Sequence, residues 1–292
     1  MIRIFGEFSL CKNLKFYLFY GIVLMTIGSD NAFACNRGPD NVINLWPSQP
    51  EIFIEVFLPN SSSAFSGIVI CPGGGYANLC KTYEGYDVAQ WLNSLGIAAF
   101  VLNYHVASKS RTPLYPWPIK DGRKAVSLVR SKAEEFAIKE DRIGILGFSA
   151  GGHLASSIGT HWHNPDSNDI VNGASCRPDF MVLIYPVLSF RDEYCHMGSR
   201  RNLIGQTPDD SLVRDFSNEL QVDPNTPPAF LVHANDDKSV PVENTLMFYS
   251  ALKKAGVNAE VHIFSRGGHG FAMGLRNGNT CDWRPACIEW LK

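Results

Sequence analysis

The stretch EIFIEVFL (51–58) carries Ile52, Ile54, Val56 and Leu58 at alternate positions, the period of a strand with one face buried, and it predicts an outer strand of a sheet. Later runs lack that alternation. GIVIC (67–71), IAAFVLN (97–103), RIGILGF (142–148), FMVLIYP (180–186) and AFLVHA (229–234) are short and apolar throughout, as strands covered on both faces are. Between them the period changes. EGYDVAQWLNSLG (84–96) sets Val88, Trp91, Leu92 and Leu95 on one stripe, and a second stripe runs from about 118 to 137 through Val126, Val129, Ala133 and Phe136. VENTLMFYSALKKAG (242–256) ends in a glycine suited to close a helix. This alternation predicts an α/β fold, a mainly parallel central sheet with helices on both faces. The stretch 187–228 has no strong period and is expected to be an insertion, either a lid over the mouth of a site or a surface excursion.

The N-terminal pattern is of another kind. Lys12 and Lys15 precede the apolar run FYLFYGIVLMTIG (16–28), and Ala32-Phe33-Ala34 offers small residues at the two positions a signal peptidase reads. Residues 1–34 therefore read as a signal peptide and 35–292 as one exported domain, periplasmic or secreted. The apolar run is shorter than the roughly 20 residues a membrane span needs, so no membrane partner is expected after cleavage. Cys35 is the one place for a lipid anchor, although Phe33 is bulky for a lipobox.

Cleavage moves the formal charge from −2 to −3, a balance that gives no electrostatic footprint for nucleic acid. Seven of the 8 cysteines remain, in a compartment where disulfides persist. Cys281 with Cys287 and Cys176 with Cys195 are the first pairs to test, and Cys71 is expected to be a buried thiol.

Gly147-Phe148-Ser149-Ala150-Gly151 fits G-x-S-x-G, in which a serine occupies a strand-to-helix turn so tight that it demands small neighbours. RIGILGF is a strand going in and AGGHLASSIG is helix-compatible going out. A serine hydroxyl is a poor nucleophile alone, so it needs a base and an acid to orient that base. His269, in a glycine-rich loop after the run VHIF, is the candidate base; His262 and His233 lie within strands and read as packing or hydrogen-bonding residues. Either Asp236 or Asp237, side by side in HANDDKSVP (233–241), can supply the acid. The resulting chain order, serine then aspartate then histidine, is that of α/β-hydrolases.

An oxyanion site needs backbone N–H groups, which Ala150 and the turn Gly73-Gly74-Gly75 in CPGGGY (71–76) can provide. A phosphate cradle is the rival reading of that turn, but no G-x-G-x-x-G spacing and no following Lys-Ser/Thr pair accompany it. His161 and His163 lack further nearby ligands, so no metal and no cofactor is expected.

With these pieces in order, the sequence resembles the α/β-hydrolase fold esterases related to bacterial acetyl esterases and acetylxylan esterases, feruloyl-esterase-like members included. The resemblance runs from about Leu45 to Leu291. It is carried by LWPSQP, CPGGGY, EGYDVAQWLNSLGIAAFVLNY, GFSAGGHLA, PDFMVLIYPV, TPPAFLVHANDDKSVPVEN and GGHGF. It implies Ser149 as nucleophile, His269 as base and the Gly73–Gly75 turn with Ala150 as oxyanion hole. It also selects Asp237, three residues before Val240-Pro241, as the acid. Asp236 is then left to hydrogen-bond its own loop.

One departure is Tyr104-His105, where relatives commonly carry Tyr-Arg. The implied substrate is a small ester or an acylated carbohydrate, with acetyl or feruloyl groups removed from plant polysaccharide. Tyr76, Trp117, Trp162, Tyr185 and Phe271 are aromatics near the expected site loops and are candidates to receive a sugar ring. A serine peptidase of related fold, or a binding protein on a hydrolase scaffold, is the alternative reading.

Overall fold

The computed structural model describes residues 38–60, 66–108, 111–274 and 281–292. The expected signal peptide, its cleavage point and Cys35 lie outside these residues. All of the described chain belongs to the unit Arg37–Lys292.

The apolar runs form the sheet. Its strands, in chain order, are β1 (Asn41–Trp46), β2 (Gln49–Phe57), β3 (Gly67–Cys71), β4 (Ala98–Asn103), β5 (Ile143–Phe148), β6 (Phe180–Ile184), β7 (Ala229–Ala234) and β8 (Ala259–Phe264). Their spatial order is β1-β2-β4-β3-β5-β6-β7-β8. The β1–β2 and β2–β4 pairs are antiparallel and every later pair is parallel. The alternating strand is thus one place in from the edge. β1 is the edge itself, exposed at Asn41, Val42 and Asn44 and buried at Leu45 and Trp46, and NVINLW carries no period that would announce it.

Helices cover both faces, as parallel crossovers require. On one side α2 (Trp117–Ser131), α3 (Ser149–Thr160) and α6 (Glu243–Lys254) close a core that includes Val126, Leu154, Ile158, Phe248 and Leu252. On the other, α1 (Asp87–Ser94) and the C-terminal α7 (Arg284–Leu291) bury Trp91, Leu92 and Cys287 against Ile68, Ile70 and Phe148. Trp91 and Trp283 meet edge to face at 5.3 Å.

The stretch 187–228 is a helical excursion containing α4 (Met197–Ile204) and α5 (Asp210–Asp215). It is tied to itself, with Asn218 N–H donated to Leu188 O at 2.8 Å and Ser189 Oγ to Glu219 at 2.8 Å. It is also tied to the sheet side: Asn244 of α6 accepts Leu188 and Ser189 N–H and donates to Tyr194 O.

Neither proposed disulfide is formed. Cys176 Sγ is directed at Trp162 O, Cys281 Sγ donates to Arg266 O at 2.8 Å, and Cys195 and Cys287 are thiols whose burial raises their pKa, that of Cys195 to about 11. Cys71 is fully buried at the end of β3.

Candidate active site

β5 ends at Phe148 and α3 begins at Ser149, with no loop between them. Ser149 consequently adopts φ 51°, a left-handed conformation that non-glycine residues rarely hold without surrounding constraint. The small neighbours are a steric necessity. A Cβ on Gly147 would lie 2.2 Å from Gly151 O, and one on Gly151 would lie 2.0 Å from Cys71 O. The turn therefore lifts the serine hydroxyl above the carboxyl edge of the sheet, where side chains from later loops reach it.

Those loops deliver a continuous chain of hydrogen bonds. Asp237 Oδ2 lies 2.7 Å from His269 Nδ1, and His269 Nε2 lies 2.8 Å from Ser149 Oγ. A carboxylate can only accept, so Nδ1 carries the proton and Nε2 accepts from the serine hydroxyl.

Asp237 is held firmly. Its Oδ1 accepts Ser239 and Val240 N–H, and His233 Nε2 stands 3.3 Å from Oδ2. Burial alone would raise its pKa, but donation from His233, His269 and the Val240 N–H outweighs burial and holds it well below the usual carboxylate range.

Asp236 does not serve its own loop, contrary to expectation. Its Oδ1 accepts Gly268 N–H at 2.7 Å and Gly267 N–H at 2.8 Å, and these bonds lower its pKa. The two adjacent carboxylates thus divide between the imidazole and the backbone that carries it.

In the turn after β3, Gly73 O accepts Cys80 N–H at 2.9 Å, Gly74 O accepts Ala77 N–H at 3.0 Å, and Gly75 O accepts Asn202 Nδ2 of α4 at 2.8 Å. Gly73 N–H is donated inward to the buried Glu84 Oε2 at 2.7 Å, which removes it from the expected set of oxyanion donors. Among the described residues the Gly74 and Gly75 N–H groups meet no acceptor, and Ala150 N–H opens α3 without a side-chain cap. Positive φ at Gly74 (132°) and Gly75 (65°) turns the peptides this way. The turn also abuts the nucleophile elbow, since a Cβ on Gly73 would stand 3.0 Å from Ser149 Cβ.

Most of the aromatics expected to line a pocket face inward. Tyr76 is wholly buried, with its hydroxyl 2.9 Å from His153 Nδ1. Tyr185 and Phe271 are buried too, and the Tyr185 ring stands edge-on to His269 at 5.0 Å. Trp117, 38% exposed, retains an open surface beside Trp46 and His105, and Trp162 is half-buried. His105 itself is buried. It lies 2.6 Å from Asp121 Oδ2 and 2.5 Å from Gln49 Oε1, so it ties β2 to α2 and offers no contact to a substrate.

His196, which no motif singles out, faces the site instead. Its Nδ1 accepts Ser199 N–H at the start of α4, which leaves the proton on Nε2, and its Cε1 would stand 3.7 Å from a Cβ on Gly75. Burial and the nearby His269 lower its pKa, against the pull of Asp237.

His153 and His161 are packing residues. His153 Nε2 donates to Phe216 O, the ring stacks on Phe190 at 4.2 Å, and burial pushes its pKa down to about 4. Among the described residues no group of three or more His, Cys, Asp or Glu is placed to hold a metal, and no helix is long and apolar enough to cross a membrane.

The profile of the BD-FAE family matches residues 54–252, and that of the Dienelactone hydrolase family matches 215–291. A crystal structure of an acetyl ester-xyloside bifunctional hydrolase from Caldicellulosiruptor lactoaceticus is 41% identical; the match covers 87% of this chain and 96% of that one, with a TM-score of 0.78. An acetylxylan esterase of Xylanibacter ruminicola is 39% identical over 222 residues, 75% of this chain and 43% of the relative. The endo-1,4-beta-xylanase B of Butyrivibrio fibrisolvens is 35% identical over 229 residues, 77% of this chain and 35% of the relative. The chain spans less than half the length of these last two proteins.

Proposed function

Since the chain belongs to the BD-FAE family of α/β-hydrolase esterases, we propose that it hydrolyses carboxylic esters through a covalent acyl-enzyme and removes acetyl or feruloyl groups from plant polysaccharide or oligosaccharide. The observation that carries this reading is the unbroken path Asp237–His269–Ser149, with both links at 2.7–2.8 Å. His269 Nε2 takes the Ser149 proton as Oγ attacks the ester carbonyl, and the N–H groups of Gly74, Gly75 and Ala150 receive the oxyanion. His269 returns the proton to the leaving alcohol, and water repeats the sequence on the acyl-enzyme. Asp237 holds the productive tautomer and stabilises the imidazolium without taking the proton.

The relatives' names support the carbohydrate half of the reading, and His196, beside Gly75 and near His269, is the side chain we assign to contact the sugar. Ser149→Ala is expected to lower kcat on a small acetyl ester by about 10^5-fold while the thermal melt is unchanged. Activity within tenfold of the parent would refute the mechanism. A panel from acetyl to feruloyl esters, free and on xylo-oligosaccharide, assigns the acyl group. Amide substrates in the same panel separate a peptidase, and stoichiometric labelling of Ser149 by an organophosphonate separates a non-catalytic binding protein. Export belongs to the same proposal, and its check is a mature N-terminus at Cys35.

A further inference from the structure

Two of the groups described above serve no step of ester hydrolysis, yet they touch both halves of the machinery. Glu84 is 3% exposed, in a π-type turn, Thr82–Tyr86, that precedes α1. Such widened turns are rare and recur at functional sites. Its Oε2 accepts Gly73 N–H at 2.7 Å, and its Oε1 accepts the Tyr185 hydroxyl at 2.8 Å. That hydroxyl in turn accepts Ala272 N–H at 3.0 Å, three residues beyond His269. Tyr185 stays protonated, and so remains a donor, because burial and the Glu84 charge raise its pKa well above the ordinary value.

Two members of this chain are strained. Tyr185 (φ 37°) and Ala272 (φ 51°) join Ser149 among the non-glycine residues with left-handed backbone, a conformation that persists where neighbours over-determine it. At the other end, the segment 80–84 grips both faces of one glycine: Cys80 N–H is donated to Gly73 O, and Glu84 takes Gly73 N–H. Holding Gly73 inward sets the peptide planes that follow, and with them the directions of Gly74 and Gly75 N–H.

We propose that Glu84 and Tyr185 are positioning residues that form a buried relay between the oxyanion turn and the loop bearing His269, so that the oxyanion donors and the base are aligned as one unit. The inference rests on the serine-esterase reading of the site. A relay of this kind acts on the transition state, where the oxyanion and the imidazolium exist together, and leaves ground-state binding of the ester nearly untouched.

The test uses Tyr185→Phe, which keeps the ring against His269 and Phe271 and removes the hydroxyl, together with Glu84→Gln and the double variant. All rates are normalised to sites titrated by an organophosphonate, so misfolded protein is not counted. Tyr185→Phe is expected to lower kcat on a small acetyl ester by about tenfold with KM within twofold, and to weaken inhibition by a boronic acid, which forms a tetrahedral adduct on Ser149, by the same factor. Glu84→Gln still accepts from Gly73 and is expected to lose less. Because the two side chains act through one chain of bonds, the double variant is expected to be no worse than the poorer single one.

Single variants with parental kcat and boronic acid affinity would overturn the relay, as would a rise in KM that accounts for the loss in kcat/KM. So would losses that multiply in the double variant. Should the parent fail to hydrolyse esters, or Ser149→Ala remain active, the esterase reading itself falls; an active parent and an inactive Ser149→Ala with unaffected relay variants remove the relay alone.

Discussion

The nucleophile elbow and the histidine loop bring two reacting atoms within hydrogen-bonding distance, but they are built in opposite ways. At the elbow the conformation is imposed by volume. Gly147 and Gly151 sit where any Cβ would penetrate backbone atoms at 2.2 and 2.0 Å, so the turn has nowhere else to go. In the histidine loop, Gly268 and Gly270 have positive φ, yet a Cβ on either would meet nothing within 4 Å, and only at Gly267 would one be crowded, by Cys281 Sγ at 2.5 Å and Ala234 Cβ at 2.9 Å. That loop is instead fixed by directed bonds: Asp236 on Gly267 and Gly268 N–H, Asp237 on the ring, and Tyr185 on Ala272 N–H. A site can thus be rigid by exclusion on one side and by hydrogen bonding on the other, and the two kinds of rigidity fail differently.

The largest expected break lies in the bonded half. Asp237→Asn leaves packing intact but favours the imidazole tautomer with its proton on Nε2, and kcat is expected to fall about 10^4-fold. Asp236→Asn keeps an acceptor for Gly267 and Gly268 and is expected to cost no more than about threefold. Steady-state kinetics of the pair settles it, and a greater loss for Asp236→Asn would reverse the assignment of the two carboxylates.

Alanine at glycine then separates volume from bonding. Gly151→Ala is expected to destabilise by about 3 kcal/mol or more, because the obstructing atoms are backbone. Gly268→Ala is expected to cost about 1–2 kcal/mol from left-handed strain alone. Urea unfolding distinguishes them, and equal costs would dissolve the contrast.

A further effect is one of pH, and it belongs to α3, the helix that follows the elbow. His153 on α3 has its pKa pushed down to about 4 by burial, so between about 6.5 and 4 the unfolded chain binds a proton that the folded chain does not. Stability is therefore complete above this window, falls as pH drops through it, and levels off below, by roughly 3 kcal/mol in all. In His153→Gln, which does not titrate but can still donate to Phe216 O and accept from Tyr76, that part of the decline should vanish. An unchanged slope of unfolding free energy against pH would show that other groups govern it.

What the sequence disclosed follows the same division. Strands β3 to β7 were legible because strands covered on both faces must be apolar throughout, and the elbow was legible because its steric demand is written as small residues. Bonded features left weaker marks. Nothing in the residue types distinguished Asp236 from Asp237; the choice came from family resemblance, and the clamp by Asp236 on the histidine loop was missed. Tyr76 and Phe271 lie close to site residues in the chain and Tyr185 directly follows β6, but position in sequence does not say which way a ring points, and all three are buried.

Glu84 left one faint signal, a carboxylate shortly before an apolar helical stripe. Asking where each N–H of the triple glycine goes would have demanded an acceptor of this kind. His196 left none, because its segment has no period. The cysteine pairs failed because spacing in sequence carries no geometry.

The hydrogen bond from Asn202 to Gly75 O has a consequence for anyone who would exchange pockets among relatives. The excursion that shapes the approach to the site also supplies part of the mould for its catalytic turn. A graft that swaps residues 187–228 for another family member's segment transplants that mould with the pocket, and it will keep its turnover only if the donor brings an amide to the same carbonyl.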